Sequence, residues 1–314
     1  MSPKIPEKIQ KVLKELKIHN PTLLGKGGEG YIFAYKNDTV IKIYTYKEAG
    51  ENYLQSLKKL QTFISSKNLP FETPQILEIG TVASMYYTIE KRLTGISMEQ
   101  KFPTLTEKEQ YKVLKSYYDA MKILNGIELP DLPYGNILQT ATFQITDNTW
   151  EEFLIKMLHH RIKLGGEQLV KDVINFDAKV QQLADVMKRE LPTNKKSFVH
   201  ADYFINQVLV NENNEISAVL DISLHTLIGD NRLDVASMFS FEGRNDYAYS
   251  NEQIKFLTEL VVQDYGNSIL KTNDIYKLYY SFYFSEVHTF MPEWYQALIK
   301  NLNDEKIWKR ISKF

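Results

Sequence analysis

The stretch Leu24–Tyr44 reads LGKGGEGYIFAYKNDTVIKIY. Gly25, Gly27 and Gly30 make a G-x-G-x-x-G, a pattern shared by chemically different phosphate-binding loops and by ordinary tight turns. The residues behind the glycines separate these readings. A dinucleotide fingerprint needs a helix directly after the glycines, whose N-terminal amides hold the pyrophosphate. Here the run YIFAY follows, β-branched and aromatic, then a Lys36-Asn37-Asp38 turn and a second such run, TVIKIY. Both runs have strand character and the link between them has turn chemistry. A Walker loop would require Gly-Lys-Ser/Thr before a helix, and the chain has none there. A glycine loop leading into a β-hairpin is what remains.

That arrangement has a chemical use. In the kinase pattern the glycine loop covers nucleotide phosphates, an apolar residue two past the last glycine packs on the base, and a lysine on the returning strand reaches the phosphates. Ile32 and Lys42 stand at those positions. Such a lysine needs a carboxylate from the next helix. Glu51, Leu54, Leu57, Leu60 and Ile64 recur at helical spacing, which makes Glu51 the expected partner, with Glu48 as the alternative. PQILEIG and MYYTIEKRL read as further strands, and the sheet is expected to end at Leu93-Thr94-Gly95, with backbone from Glu90 to Arg92 offered to a purine.

A second constellation lies in SFVHADYFINQVLVNENNEISAVLDISLHTLIGDNRLDVASM, residues 197–238. QVLV and ISAVL flank an Asn-rich turn, a hairpin signal. Asp202 precedes the first of these strands and Asp221 ends the second. Two acids placed this way, with a glycine loop and a lysine, suit phosphoryl transfer: one orients the acceptor hydroxyl and takes its proton, the other binds the metal that neutralises the phosphates.

With these residues in place, the chain resembles the aminoglycoside phosphotransferase and choline-kinase-like superfamily, which shares the protein-kinase fold. The resemblance rests on His200-Ala201-Asp202 against H-G-D, on Asp221 at a strand end, on Gly229-Asp230 and Asp234-Val235-Ala236 against G-D-x-x-x-D-L-A, and on the glycine loop with Lys42. It spans roughly residues 20–245. It implies Asp202 as catalytic base, Asp221 as metal ligand, and His200, Asp230 and Asp234 as supports of the catalytic loop. The family's second metal ligand is an Asn five residues after the catalytic Asp. Gln207 stands there and is the expected ligand, while Asn206 is one position early. Ala201 replaces the usual Gly. There is no D-F-G and no A-P-E, which argues against a protein kinase.

The implied architecture is α+β and bilobal: a small antiparallel-sheet lobe over residues 1–95 that binds nucleotide, and a larger helical lobe over 96–314 for catalysis and substrate. Thr106 and Glu109 fit a capping box, Val113, Leu114, Tyr117, Met121 and Leu124 form an apolar stripe, and Gly126 suits the helix stop. Segments 149–164, 167–190, 251–266 and 273–288 are further helix candidates. His159-His160 lack a carboxylate at ligand spacing and read as structural.

Composition bounds the rest. A chain of 314 residues, 43% hydrophobic, can bury a sizeable core. Net charge −1 makes no electrostatic case for nucleic acid. With no cysteine there is no disulfide framework and no thiolate chemistry. Neither an apolar leader nor a membrane span is visible, so a cytoplasmic protein, monomeric or dimeric, is expected. Ile5, Ile9, Val12, Leu13 and Leu16 recur at helical spacing near the start, as a surface helix would. From Asp234 to Glu293 nine acids face four bases, which would suit a cationic acceptor. The expected reaction is Mg2+-dependent transfer of phosphate from ATP or GTP to a hydroxyl of a small molecule, with aminoglycosides, other antibiotics, amino alcohols and sugars as candidates. The competing expectation is a kinase-like module that binds nucleotide without catalysis, motivated by the missing Asn.

Overall fold

The structure is a computed structural model that describes residues 5–46, 49–140, 145–240 and 249–312. Its contacts divide the chain into two compact units. The first holds residues 1–95 with 138–144 and 217–224, and the second holds 96–137, 145–216 and 225–314.

In the first unit the helix α1 (Glu7–Glu15) precedes a five-stranded antiparallel sheet. Its strands are β1 (Leu23–Lys26), β2 (Gly30–Ala34), β3 (Thr39–Tyr44), β4 (Ile76–Val82) and β5 (Met85–Lys91), in the order β1-β2-β3-β5-β4. The helix α2 (Glu51–Ser65) connects β3 to β4. Alternation along the strands sorts their side chains onto two faces. Tyr31, Phe33, Ile41 and Ile43 pack with Ile9, Val12 and Leu13 of α1 in one buried cluster. That is why the lysine-interrupted N-terminal stripe forms a helix: its apolar face covers the sheet. The opposite face carries Ile32, Ala34, Val40, Lys42, Thr88 and Glu90, because Ile32 pairs with Lys42, Lys42 with Thr88, Ala34 with Val40, and Val40 with Glu90.

The piece 217–224 joins this unit through Glu72. The Glu72 amide donates to the Ser217 carbonyl at 2.8 Å, and the Val219 amide returns to the Glu72 carbonyl at 3.0 Å. Asp221 therefore belongs to the same unit as Lys42.

The second unit starts at β6 (Ile96–Ser97) and the short α3 (Met98–Lys101), followed by α4 (Glu107–Asn125). The α4 capping box forms, with the Thr106 amide on Glu109 Oε2 at 2.9 Å. Then come β7 (Tyr134–Asn136), β8 (Thr146–Asp147), α5 (Trp150–Asp172), α6 (Phe176–Glu190), β9 (Ser197–Val199) and β10 (Val208–Val210). The strand β11 (Ile216–Val219) crosses the division between units, and the chain continues with β12 (Leu227–Gly229), α7 (Arg232–Ser240), α8 (Asn251–Tyr265), α9 (Ser268–Tyr283), α10 (Pro292–Asn303) and α11 (Glu305–Ser312). A small sheet runs β8-β7-β12-β9, and β10 pairs with β6. The Asn-rich turn closes as a hairpin turn, with the Asn211 amide on the Glu215 carbonyl at 2.9 Å.

Two helix expectations change. Residues 167–190 are not one helix: α5 bends at Gly166, where φ is 61°, and ends at Asp172, before Asn175 in a left-handed conformation starts α6. The aromatic helix expected over 273–288 begins earlier, at Ser268, and ends at Tyr283, with a 3-10 turn beyond it. Its aromatic residues are buried among the helices, so sequence periodicity gave its register poorly.

The glycines of the opening loop differ in what they do for the fold. A Cβ on Gly30 would lie 2.1 Å from the Ile43 carbonyl oxygen, backbone against backbone, whereas nothing lies within 4 Å of one on Gly27 or Gly28. Gly30→Ala should therefore cost about 1–3 kcal/mol of stability, as overpacking does. Gly27→Ala and Gly28→Ala should stay within about 0.5 kcal/mol of wild type. Chemical denaturation of the three variants checks this.

Candidate active site

The glycine loop and β3 carry candidate site residues of the first unit. Lys42 Nζ is paired with the Glu29 carboxylate, whose other oxygen accepts from the Tyr53 hydroxyl at 3.2 Å. Burial works against the lysine's charge, but Glu29, Tyr44, Glu90 and Asp221 around it prevail and hold its pKa well above the usual lysine value. Lys42 is thus firmly protonated. Glu90 is half-buried and accepts from Thr88 Oγ1 at 2.5 Å. Burial pushes its carboxyl up, opposed by Lys42 and by the Thr88 bond.

Glu51 is not the partner of Lys42. It is exposed at the first position of α2, behind the N-cap Gly50. Helical side chains lean toward the N-terminus, so at the very start of the helix Glu51 leans out beyond the first turn. The inward stripe begins at Tyr53 and Leu54 instead. Glu48, the alternative, lies outside the described residues. Sequence reasoning missed Glu29 because it looked for a helical carboxylate; the available signal was an acid set among the glycines, beside the residue that pairs with Tyr44.

Backbone at the end of β5 is less available than expected. Glu90 lies in register with both Val40 and Ile76. The Lys91 amide donates to the Gln75 carbonyl at 3.0 Å and the Arg92 amide to the Asp38 carbonyl at 2.8 Å. Those two amide hydrogens are already engaged within the unit, and the Arg92 side chain is exposed.

Asp202 sits in the second unit on a loop fixed from several sides. The Asp234 carboxylate, at the start of α7, accepts from the His200 amide at 2.8 Å, the Ala201 amide at 2.7 Å and Asn125 Nδ2 at 2.7 Å. Burial pushes the Asp234 carboxyl up, against the pull of His200 and these hydrogen bonds. The Asp202 amide donates to His200 Nδ1 at 3.3 Å, so the fully buried His200 braces the loop. Tyr117 and Tyr203 stack 4.7 Å apart, and each hydroxyl donates to the other's carbonyl, at 2.8 and 2.9 Å. Tyr280 of the aromatic helix donates to the Ala201 carbonyl at 3.1 Å. The Asp202 carboxylate accepts from Gln207 Nε2 at 3.0 Å.

Asp230 works one layer further out. It accepts from the Arg232 amide and guanidinium and from the Tyr276 hydroxyl at 2.7 Å, and that hydroxyl in turn accepts from Trp150 Nε1 at 2.8 Å. The preceding glycine is required by the same ring, since a Cβ on Gly229 would lie 2.1 Å from Trp150.

Several of the acids from Asp234 onward are paired within the described residues. Asp264 pairs with Lys122 and Tyr118, Asp274 with Arg310, and Glu286 with Arg161. Asp234 itself is spent on the loop. Glu242 and Asp246 lie outside the described residues.

Asp221, in the first unit, carries the kind of hard carboxylate oxygen that Mg2+ prefers. Among the described residues no cluster of three or more His, Cys, Asp or Glu could hold a metal. No helix among the described residues is long and apolar enough to cross a membrane.

A family model described as the phosphotransferase enzyme family matches residues 33–264, and the chain belongs to that family. Solved structures agree on the fold. The gentamicin complex of APH(2")-IIa aligns with a TM-score of 0.63 at 15% identity, covering 100% of this chain and 98% of that one. The GDP complex of wild-type aminoglycoside 2'-phosphotransferase-IIIa gives 0.64 at 12% identity, with 97% and 99% covered. Macrolide 2'-phosphotransferase type I gives 0.56 at 11%, with 96% and 99% covered. No significant match is found among curated sequences. The fold is the kinase-like α+β fold of these enzymes, with an antiparallel N-terminal sheet and a helical C-terminal part.

The loop conformation yields a stability test. Ala201 has φ +61°, in the left-handed region that costs an L-residue roughly 1–2 kcal/mol. Ala201→Gly removes that cost but gives back about 0.5–1 kcal/mol through the freer unfolded chain. A net gain of about 0.5 kcal/mol is expected in chemical denaturation.

Proposed function

We propose that this protein transfers the γ-phosphate of a nucleoside triphosphate, ATP or GTP, to a hydroxyl group of a small molecule. The observation that carries the reading is the buried loop His200–Asp202, held on Asp234 so that Asp202 is aimed by backbone rather than by a flexible side chain. In the proposed reaction Lys42 binds the phosphates, and the glycine loop, open around Gly27 and Gly28, gives room for them. Asp202 accepts a hydrogen bond from the acceptor hydroxyl, orients it, and takes its proton as the oxygen bonds to the γ-phosphorus. The bond from that phosphorus to the β-γ bridging oxygen breaks, and the nucleoside diphosphate leaves. Asp221 and Gln207 would hold Mg2+, which supplies charge neutralisation on the phosphates. Gln207 has a second role, since its amide steadies the Asp202 carboxylate.

The acceptor class is inferred from kinship. Solved proteins of the same fold are named for aminoglycosides and for a macrolide, so these antibiotics head the list, ahead of amino alcohols and sugars. Transfer assays with ATP or GTP and Mg2+ across that panel test the proposal. Turnover of at least one hydroxylated acceptor, abolished by chelation, is expected. Nucleotide binding without turnover on any of them would favour the non-catalytic module.

Asp202→Asn keeps the shape and the Gln207 contact but loses the base. The variant should lose about 10²–10⁴-fold in kcat while nucleotide affinity stays within a few-fold. A kcat within threefold of wild type would remove Asp202 from the chemistry.

A further inference from the structure

We propose that Glu29, carried by the glycine loop, is the positioning residue for Lys42, in place of a glutamate on the following helix. This rests on the phosphotransferase reading of Lys42.

Glu29 is built in from both ends. Its carbonyl accepts from the Thr45 amide at 2.9 Å and the Tyr46 amide at 3.2 Å, which ties its backbone to the chain leaving β3. Its carboxylate takes Lys42 on one oxygen and the Tyr53 hydroxyl on the other. Tyr53 is 3% exposed, so that hydroxyl is held by packing. The side chains of Lys42 and Glu29 are themselves only 15% and 20% exposed. The helix α2 thus reaches Lys42 through Tyr53 and Glu29, whereas its own first acid, Glu51, stays in solvent.

These anchors bear on mechanism. A lysine side chain is a flexible stem ending in three rotatable donors. Pairing with Glu29 fixes its direction without exhausting its donors. A carboxylate anchored at backbone and side chain is poorly suited to swing aside, which argues for a permanent strut rather than a plug that a phosphate must expel. The arrangement also couples the glycine loop to the lysine, so that loop and Lys42 are placed as one piece.

A double-mutant cycle decides the matter. Glu29→Ala, Glu29→Gln, Lys42→Ala and the Glu29→Ala/Lys42→Ala double variant are compared for nucleotide KM, kcat and nucleotide dissociation constant, with thermal melts to verify folding. Glu29→Ala should lower kcat/KM for nucleotide by about 10- to 100-fold, the worth of a hydrogen bond to a charged group. Glu29→Gln, which keeps volume and the Tyr53 contact, should recover part of it. If Glu29 acts through Lys42, adding Glu29→Ala to Lys42→Ala should change activity less than twofold. Additive losses, a Glu29→Ala variant within twofold of wild type, or tighter nucleotide binding in that variant would each overturn the proposal. So would the same coupling found for Glu48→Ala and not for Glu29. Should Glu29→Ala fail to fold, the cycle is run with Glu29→Gln. Wild-type activity in Lys42→Ala would instead defeat the assignment of Lys42 and the proposal with it.

Discussion

One buried carboxylate organises the loop that carries Asp202. Asp234 receives the amides of His200 and Ala201 and the side-chain amide of Asn125. An isolated carboxylate buried this deeply would be costly, and hydrogen bonds from several N–H groups are what make it tolerable. The same bonds give the loop its shape. They hold Ala201 in a left-handed conformation that alanine adopts only when its surroundings dictate it. Asn125 also donates to the Phe198 carbonyl at 2.9 Å, so α4, β9, the loop and α7 meet at a single polar point inside an apolar core. Asp202 inherits its position from that point. The Tyr117–Tyr203 pair and Tyr280 complete the clamp.

In the sheet unit the governing fact is a balance of charge. Lys42 stands among Glu29, Glu90 and Asp221, and the excess of carboxylates is unfavourable for a polyphosphate unless a divalent cation accompanies it.

The parts of the molecule that carry short, chemically constrained patterns were readable in the sequence. The β3 strand Thr39–Tyr44 falls where TVIKIY predicts it, and the Thr106–Glu109 capping box starts α4 as expected, while the helix ends at Asn125 before a Gly126 that keeps a right-handed φ of −72°. Both rest on local rules that tertiary contacts did not override. The partner of Lys42 was not readable, because it depends on where a loop residue falls in three dimensions and not on helical spacing. Tyr53, two positions past Glu51, carries the inward contact that the spacing assigned to Glu51. The aromatic helix Ser268–Tyr283 misled for another reason: its second half, Ile275–Tyr283, is buried on nearly every side, so periodicity could not fix its ends. Its tyrosines proved to be scaffolding for the loop and for Asp230. The acid count past Asp234 could not show pairing: Lys122, Arg161 and Arg310, from distant segments, pair with Asp264, Glu286 and Asp274.

The central claim is that Asp234 locks the loop bearing Asp202. Amide hydrogen exchange at His200 and Ala201 in the intact protein measures it directly. If the carboxylate holds both amides, they should exchange only through global unfolding, at rates matching the slowest core amides of β9 and α4. Exchange at the rate of an open surface loop, with the core still protected, would contradict the account.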